Sequence, residues 1–116
     1  MPIVSIDPAK KAAIDLEAAY AAVEAWFQEQ VDQGFKTAGG WRLGLKPEDV
    51  TLLTGNFVLA KEADALGAPI PPIIDMDGVP HEMDGIEELT AIMLGYGQAR
   101  AALSAEYAAR KAAVGS

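Results

Sequence analysis

The chain has 116 residues, carries 9 Lys and Arg against 17 Asp and Glu for a formal net charge of −8, and contains no cysteine. This length suits one core, and the acidic excess repels phosphate backbones and anionic lipids, so no nucleic-acid or membrane partner is expected. Disulfides and thiolate metal sites are excluded, and no apolar run is long enough to span a bilayer. The N-terminus has no signal-peptide pattern, which predicts synthesis and retention in the cytoplasm.

The first predicted element is an amphipathic helix over about residues 8–33. Asp7 can accept hydrogen bonds from free backbone N–H groups and Pro8 fits the first helical position, so this pair indicates a helix start. Gly34 suits the stop. Between them the larger apolar side chains recur at alternating steps of three and four residues and form one stripe: Leu16, Tyr20, Val23 and Phe27.

A short β-hairpin is predicted next. Gly39-Gly40 tolerates the positive φ angles of a two-residue turn and separates residues 35–38 from residues 41–45. Side chains alternate along a strand, so three apolar residues share one face and are expected to cover the core: Trp41, Leu43 and Leu45.

A second helix is predicted over about residues 47–66. Pro47 and the two acids after it suit a first helical turn, and Gly67 closes the segment. Gly55-Asn56 in the middle opposes one unbroken rod. Apolar residues lie on two stripes, which is typical of a central helix or of one in an interface. One stripe holds Val50, Leu53, Phe57 and Ala60, and the other holds Leu52, Leu59 and Leu66.

A second hairpin is predicted after the proline-rich residues 69–72, which favour an extended connection. Asp77-Gly78 is the strongest turn signal in the sequence, and it joins residues 73–76 to residues 79–82. Pro80 has no backbone N–H to donate, which indicates an edge strand.

The same segment has a superficial likeness to a calcium loop. Asp75, Asp77 and Asp84 would take positions three, five and twelve of such a loop. Ile73 would stand at position one and offers no ligand oxygen. The segment also fits a hairpin followed by a helix cap, so turn chemistry is the favoured interpretation and no metal site is predicted.

The last predicted element is a long helix that begins near Asp84. Glu87 lies three residues later, as in a capping box. Gly95 and Gly97 indicate a bend or the close approach of another backbone. The three-four spacing is interrupted by Arg100 and otherwise continues toward the C-terminus through Ile86, Leu89, Met93, Tyr96, Leu103 and Tyr107.

These elements predict an α+β fold of three helices, two of them long and amphipathic, and two short β-hairpins. Their order is helix-hairpin-helix-hairpin-helix. No repeat, linker or abrupt change in composition divides the sequence, so residues 1–116 are expected to form a single domain. The core must be built from few large side chains, since much of the 51% hydrophobic share is alanine.

The sequence offers no recognisable catalytic apparatus. His81 is the only histidine, so a two-histidine metal site is ruled out within the chain. A Ser–His–Asp triad would have to use His81, which is interpreted as an exposed strand residue. No Gly-rich loop supports a nucleotide site, and no cofactor is predicted.

The large apolar and aromatic residues could line a ligand pocket, but a core short of large side chains favours their use in packing or in subunit interfaces. The seams of the first and third helices could close within the chain or between copies, and we expect a homo-oligomer. The candidate interface residues are Leu16, Tyr20, Val23, Phe27, Trp41, Leu52, Leu59, Tyr96, Leu103 and Tyr107.

Several short motifs follow one another between about residues 23 and 114. They are Gly34-Phe35, Gly40-Trp41-Arg42-Leu43, the helix start at Pro47-Glu48-Asp49, the segment from Ile73 to Val79, and a long alanine-rich helix with Ile86, Leu89 and Tyr96. In this order they resemble a domain of unknown function found in tail-fibre and tail-assembly proteins of tailed bacteriophages. The chain departs from that pattern at Lys46, before the middle helix, and in having no long upstream fibre region, which favours a small stand-alone component.

The resemblance implies a virion-associated or assembly protein of a tailed phage, made in the bacterial cytoplasm, with other phage structural proteins as partners. The leading hypothesis is a non-enzymatic component of the tail, the tail-fibre or adsorption apparatus, or the virion surface that acts through protein–protein assembly. One alternative is a tail or fibre assembly chaperone that is absent from the finished particle. Another is a small ligand-binding domain.

Overall fold

The computed structural model describes residues 7–115. Three helices and two antiparallel strand pairs follow the order α1(Pro8–Gln33), β1(Phe35–Lys36), β2(Arg42–Leu43), α2(Pro47–Ala65), β3(Ile73–Ile74), β4(Pro80–His81) and α3(Ile86–Val114). β1 pairs with β2, and β3 pairs with β4, in two separate sheets. The predicted α+β class and element order are confirmed.

α1 begins and ends where the sequence indicates. The Asp7 carboxylate accepts from the backbone N–H of Ala9 at 3.0 Å, and Pro8 opens the helix. Gly34 stops it with a φ of 75°, in the left-handed region that favours glycine. A Cβ atom at this position would lie 2.6 Å from the backbone oxygen of Leu43, so the first hairpin can approach only because the side chain is missing.

α2 runs unbroken from Pro47 to Ala65, so the expected weakness at Gly55-Asn56 does not interrupt it. Packing of Leu53 and Phe57 on either side of this pair outweighs the local propensity. The helix start is closed by Asp49, whose carboxylate accepts from the backbone N–H of Lys46 at 3.2 Å.

α3 starts later than the predicted capping box requires. Gly85 is its N-cap residue, and no side-chain cap forms there. Because the helix starts one residue later, the third helical position is Glu88 and not Glu87. The Glu88 carboxylate accepts from the backbone N–H of Asp84 at 3.2 Å. Gly95 does mark a close approach, but the neighbour is the ring of Phe35.

Both hairpins close with the same kind of turn. The N–H of Gly40 donates to the carbonyl of Thr37, and that of Gly78 donates to the carbonyl of Asp75, each at 3.0 Å. The closing glycines have φ angles of 90° and 81°. The two turns are therefore centred on Ala38-Gly39 and Met76-Asp77, each one residue before the predicted Gly39-Gly40 and Asp77-Gly78, because the closing glycine occupies the left-handed position after each turn.

The buried core joins the hairpins to α2 and the first half of α3. Trp41 and Leu45 pack against it beside buried Leu43, as their alternation predicts. The hairpins also meet directly, since the N–H of Met76 donates to the carbonyl of Arg42 at 2.9 Å. The buried cluster consists of Leu43, Leu53, Ala60, Ile73, Leu89 and Tyr96.

The molecule is elongated into a head and a stalk. The head comprises residues 34–99, and the stalk is the antiparallel pair formed by residues 21–33 of α1 and residues 100–115. Its dimensions are 81 × 25 × 21 Å with a radius of gyration of 21.0 Å, against about 13 Å for a compact domain of similar length. Residues 8–20 of α1 continue past the end of α3, and we call this segment the α1 projection.

Candidate functional site

The second hairpin is organised by a buried carboxylate. Asp75 Oδ1 accepts from the backbone N–H groups of Asp77 at 2.8 Å and Val79 at 3.0 Å, and Oδ2 lies 2.7 Å from Nε2 of His81. These bonds, with that to His81 the largest, hold the pKa of Asp75 below its ordinary value. Both carboxylate oxygens of Asp75 are therefore occupied by hydrogen bonds within the second hairpin. Within residues 7–115, no group of three or more His, Asp or Glu side chains could hold a metal ion.

His81 is not the exposed strand residue that the sequence indicated. It is half-buried, and its ring stacks on that of Trp41 with centroids 4.0 Å apart and an angle of 9°. Because Trp41 belongs to the first hairpin, this stack ties the two hairpins together. The sequence did contain a signal for a buried His81: Asp75 is a lone acid in an apolar segment, and it lies across the Asp77-Gly78 turn from the histidine.

Tyr96 anchors the centre of the head. Its side chain is 2% exposed, its hydroxyl donates to the carbonyl of Gly44 at 2.6 Å, and its ring meets that of Phe35 edge to face. Burial is the largest contribution raising the pKa of Tyr96. Of the predicted interface residues, Tyr96 is thus the one most enclosed by its own chain.

The stalk brings the aromatic residues of α1 and α3 together. The rings of Phe27 and Tyr107 lie 4.3 Å apart, and the Tyr107 hydroxyl donates to Glu24, which raises the pKa of Tyr107. Arg110 lies over the ring of Trp26 at 3.8 Å. Two further predicted residues lie in these stalk helices: Val23, which is buried, and Leu103, which is half-buried.

The other predicted interface residues differ in exposure. Leu16 and Tyr20 are exposed on α1, and Leu52 and Leu59 are exposed on α2, whereas Trp41 is half-buried. The structure adds exposed apolar residues that were not singled out as interface candidates: Val58, Leu66, Ile74, Met76, Val79 and Leu94.

Three exposed leucines, Leu52 and Leu59 of α2 and the C-cap residue Leu66, lie in one row that we call the leucine face. Their exposed fractions are 60%, 57% and 85%. Residues seven apart lie on the same side of a helix at intervals of about 10 Å, so the three side chains form a straight row. Leu52 also lines a small groove with Ile74 and Met76, which extends the apolar surface onto the second hairpin.

Two larger clefts flank Arg100. A cleft of about 370 Å³ separates the stalk from α2 and is lined by apolar residues that include Phe27, Val50 and Leu103. A second, of about 310 Å³, lies between α2 and α3 beside Phe57. Among the described residues that line either cleft, Arg100 is the only charged one.

The architecture defines an elongated α+β domain with a small head on an antiparallel helical stalk. Across the part of the chain that the structure describes, no helix is both long and apolar enough to cross a membrane. The chain belongs to the family described as Domain of unknown function (DUF4376), which it matches over residues 10–116. No curated protein and no solved structure matches it.

Proposed function

We propose that this chain is a non-enzymatic structural component of a tailed-phage virion and works through protein–protein assembly. The observation that carries the proposal is the leucine face, with Leu52, Leu59 and Leu66 more than half exposed in one row. A row of exposed apolar side chains of this kind favours an interaction site, because its burial against a partner removes it from water.

The form of the surface favours a helix or strand of another protein as the partner. Gly55 lies between Leu52 and Leu59, and a Cβ atom there would meet nothing within 4 Å, so a neighbouring backbone has room to approach. Ile74 and Met76 border the groove beside Leu52 and provide further apolar contact. The acidic net charge of −8 keeps the free chain dispersed before assembly.

The phage assignment rests on the sequence resemblance alone. The place of action in this proposal is the tail, the tail-fibre or adsorption apparatus, or the virion surface, after synthesis in the bacterial cytoplasm. Its partners would be other phage structural proteins and further copies of the chain.

Quantitative mass spectrometry of purified virions from the phage that encodes the chain tests this proposal. A structural component is present in a fixed ratio to the major tail or capsid protein. Replacing Leu52, Leu59 and Leu66 together by Gln should remove the chain from the particles. A matched control replaces three exposed polar residues on the opposite side of α2, Thr54, Lys61 and Asp64, by Gln, which keeps the net charge and should leave the ratio unchanged.

An assembly chaperone is the second candidate, since the same leucine face could hold a fibre or tape-measure protein transiently. Such a chaperone would be abundant in infected cells and absent from finished particles. A third candidate is a small ligand-binding domain, favoured by the clefts beside Arg100. A specific, saturable rise in melting temperature with a carboxylate or phosphate ligand, lost in Arg100→Gln, would favour this third function over the other two.

A further inference from the structure

Residues 8–18 of the α1 projection have no neighbouring element within the described part of the chain. Every residue from 8 to 18 is exposed, and α3 ends beside Tyr20, where a Cβ atom on Gly115 would lie 3.3 Å from the tyrosine hydroxyl. The projection is about 20 Å long at 1.5 Å per residue. A helical segment of this length is marginal in water without packing, so it is suited to a partner.

The packing face of α1 continues along the projection. Val23 and Phe27 lie on the stripe that faces α3, and steps of three and four toward the N-terminus reach Tyr20 and Leu16. The next positions on this stripe are Ala13 and Ala9. The face therefore consists of two large residues followed by two small ones, and α3 stops at Tyr20 and leaves Leu16, Ala13 and Ala9 uncovered.

Beyond the Asp7 cap, the charges of α1 are arranged against its own dipole. Its first turn has no acid and its last turn has no base. Instead Lys10 lies near the start, Glu17 lies one heptad later, and Asp32 lies near the end. Anions favour a helix N-terminus and cations a C-terminus, so this order is unfavourable for an isolated helix. A helix running the other way would place opposite charges side by side.

We propose that the α1 projections of two copies pair antiparallel, about a two-fold axis between Ile14 and Asp15. In this register Leu16 of each copy packs on Ala13 of the other, and Tyr20 packs on Ala9. Large residues thus meet small ones in every layer, which permits interdigitation. The second copy continues along the face of α1 that α3 leaves uncovered.

The same register pairs the charges that flank the seam. Lys10 and Glu17 lie on one flank of the apolar stripe, one heptad apart. In an antiparallel pair, Lys10 of each copy faces Glu17 of the other, giving two equivalent ion pairs. Lys11 and Asp15 lie on the opposite side of the helix, away from the seam, and supply matched controls.

The pairing specifies how a second copy of the chain takes part in the proposed assembly role. It rests on that proposed function only because both require a protein partner. The contact spans four layers, which places it among small, transient interfaces of below about 1,200 Å². We therefore expect a concentration-dependent dimer with a Kd on the order of 100 µM. Copies held together in a larger assembly would pair far more readily through effective concentration.

Sedimentation equilibrium of the full chain, from about 10 µM to about 1 mM, measures the association expected from that Kd. Lys10→Glu and Glu17→Lys alone should each weaken dimerisation about 5- to 10-fold, because two attractive pairs become repulsive. The double exchange should restore it. Lys11→Glu and Asp15→Lys make the same changes in net charge off the seam and should leave it near the wild-type value.

The relative orientation of the two helices can be measured separately by spin labelling, since the chain has no native cysteine that would also be labelled. A single label at Ala25→Cys, an exposed position, should give a distance between copies of about 32 Å in the antiparallel pair. A parallel pair would bring the labels within about 15 Å of each other.

Three results would overturn the proposal: a monomer at every concentration, a double exchange that fails to restore association, or the short label distance. Each is independent of the leucine face. Incorporation into virions could therefore persist when the projections do not pair, and pairing could persist when the chain is absent from virions.

Discussion

The hydroxyl of Tyr96 donates a 2.6 Å hydrogen bond to the backbone carbonyl of Gly44, 52 residues earlier in the chain. This bond joins α3 to the end of the first hairpin inside a core where Tyr96 is 2% exposed. Residue 44 has no room for a side chain, since a Cβ atom on this glycine would lie 2.1 Å from the carboxylate of Asp49.

Removing this hydroxyl should destabilise the whole head. Tyr96→Phe keeps the ring but leaves a buried carbonyl without its donor, and we expect a loss of about 1–3 kcal/mol in the free energy of unfolding. Urea unfolding followed by circular dichroism measures it. Tyr20→Phe removes a hydroxyl from an exposed ring and should change stability by less than about 0.5 kcal/mol. Equal effects of the two substitutions would contradict the role of the bond.

Asp75 should make the second hairpin sensitive to acid. The pKa of folded Asp75 lies below its ordinary value of 3.8, because His81 and the turn N–H groups bond the ionised form. Its contribution to stability is therefore complete above pH 3.8 and is lost as the pH falls through the folded-state pKa.

Stability measured from pH 6 down to about 2 should accordingly fall more steeply for the wild type than for Asp75→Asn, with the two curves converging at the acid end. Asp77→Asn changes an exposed acid in the same turn and serves as the control. Parallel curves for the wild type and Asp75→Asn would show that the carboxylate contributes nothing specific.

The stalk should loosen without unfolding the head. Phe27→Ala removes one half of the aromatic pair with Tyr107, and for a half-buried ring we expect a local cost of about 2 kcal/mol. Hydrogen exchange should accelerate in residues 21–33 and 100–115 while the head keeps its protection. Phe27→Leu retains most of the volume and should have a smaller effect. Uniform acceleration would mean that head and stalk unfold as one unit.

Alkali should also destabilise the fold through its bonded tyrosines. The hydrogen bond to Glu24 raises the pKa of Tyr107, and burial raises that of Tyr96. A folded-state pKa above the ordinary 10.0 gives stability that is complete below pH 10.0 and lost as the pH rises through the folded value. Ultraviolet titration of Tyr107→Phe, compared with the wild type, should show the loss of one late-ionising group.

Two adjacent leucines offer a direct test of the leucine face. Leu53 is 5% exposed and belongs to the core, whereas Leu52 is 60% exposed. Leu53→Gln should cost about 3 kcal/mol or more, because it buries a polar group and opens a void. Leu52→Gln should leave the melting temperature almost unchanged and weaken partner binding. A large loss of stability in Leu52→Gln would instead assign that residue to the fold.

Local signals were enough to predict the helices, since Asp7-Pro8, Gly34, Pro47 and Gly67 each act on the backbone beside them. The stack of His81 on Trp41 could not be predicted in this way, because it depends on how two separate hairpins meet. Likewise, the stripe on α1 indicates which side packs, but not how far its partner extends. The elongated shape and the α1 projection therefore emerge only in three dimensions.

The hydrogen bond from Met76 to Arg42 has a consequence for folding kinetics. Strands of two residues are too short to persist alone, so each hairpin needs the other as a template. They meet only after the intervening chain, including all of α2, has closed into a loop, and such non-local contacts form slowly. Docking of the hairpins should thus be the rate-limiting event, with helix formation preceding it by orders of magnitude in time.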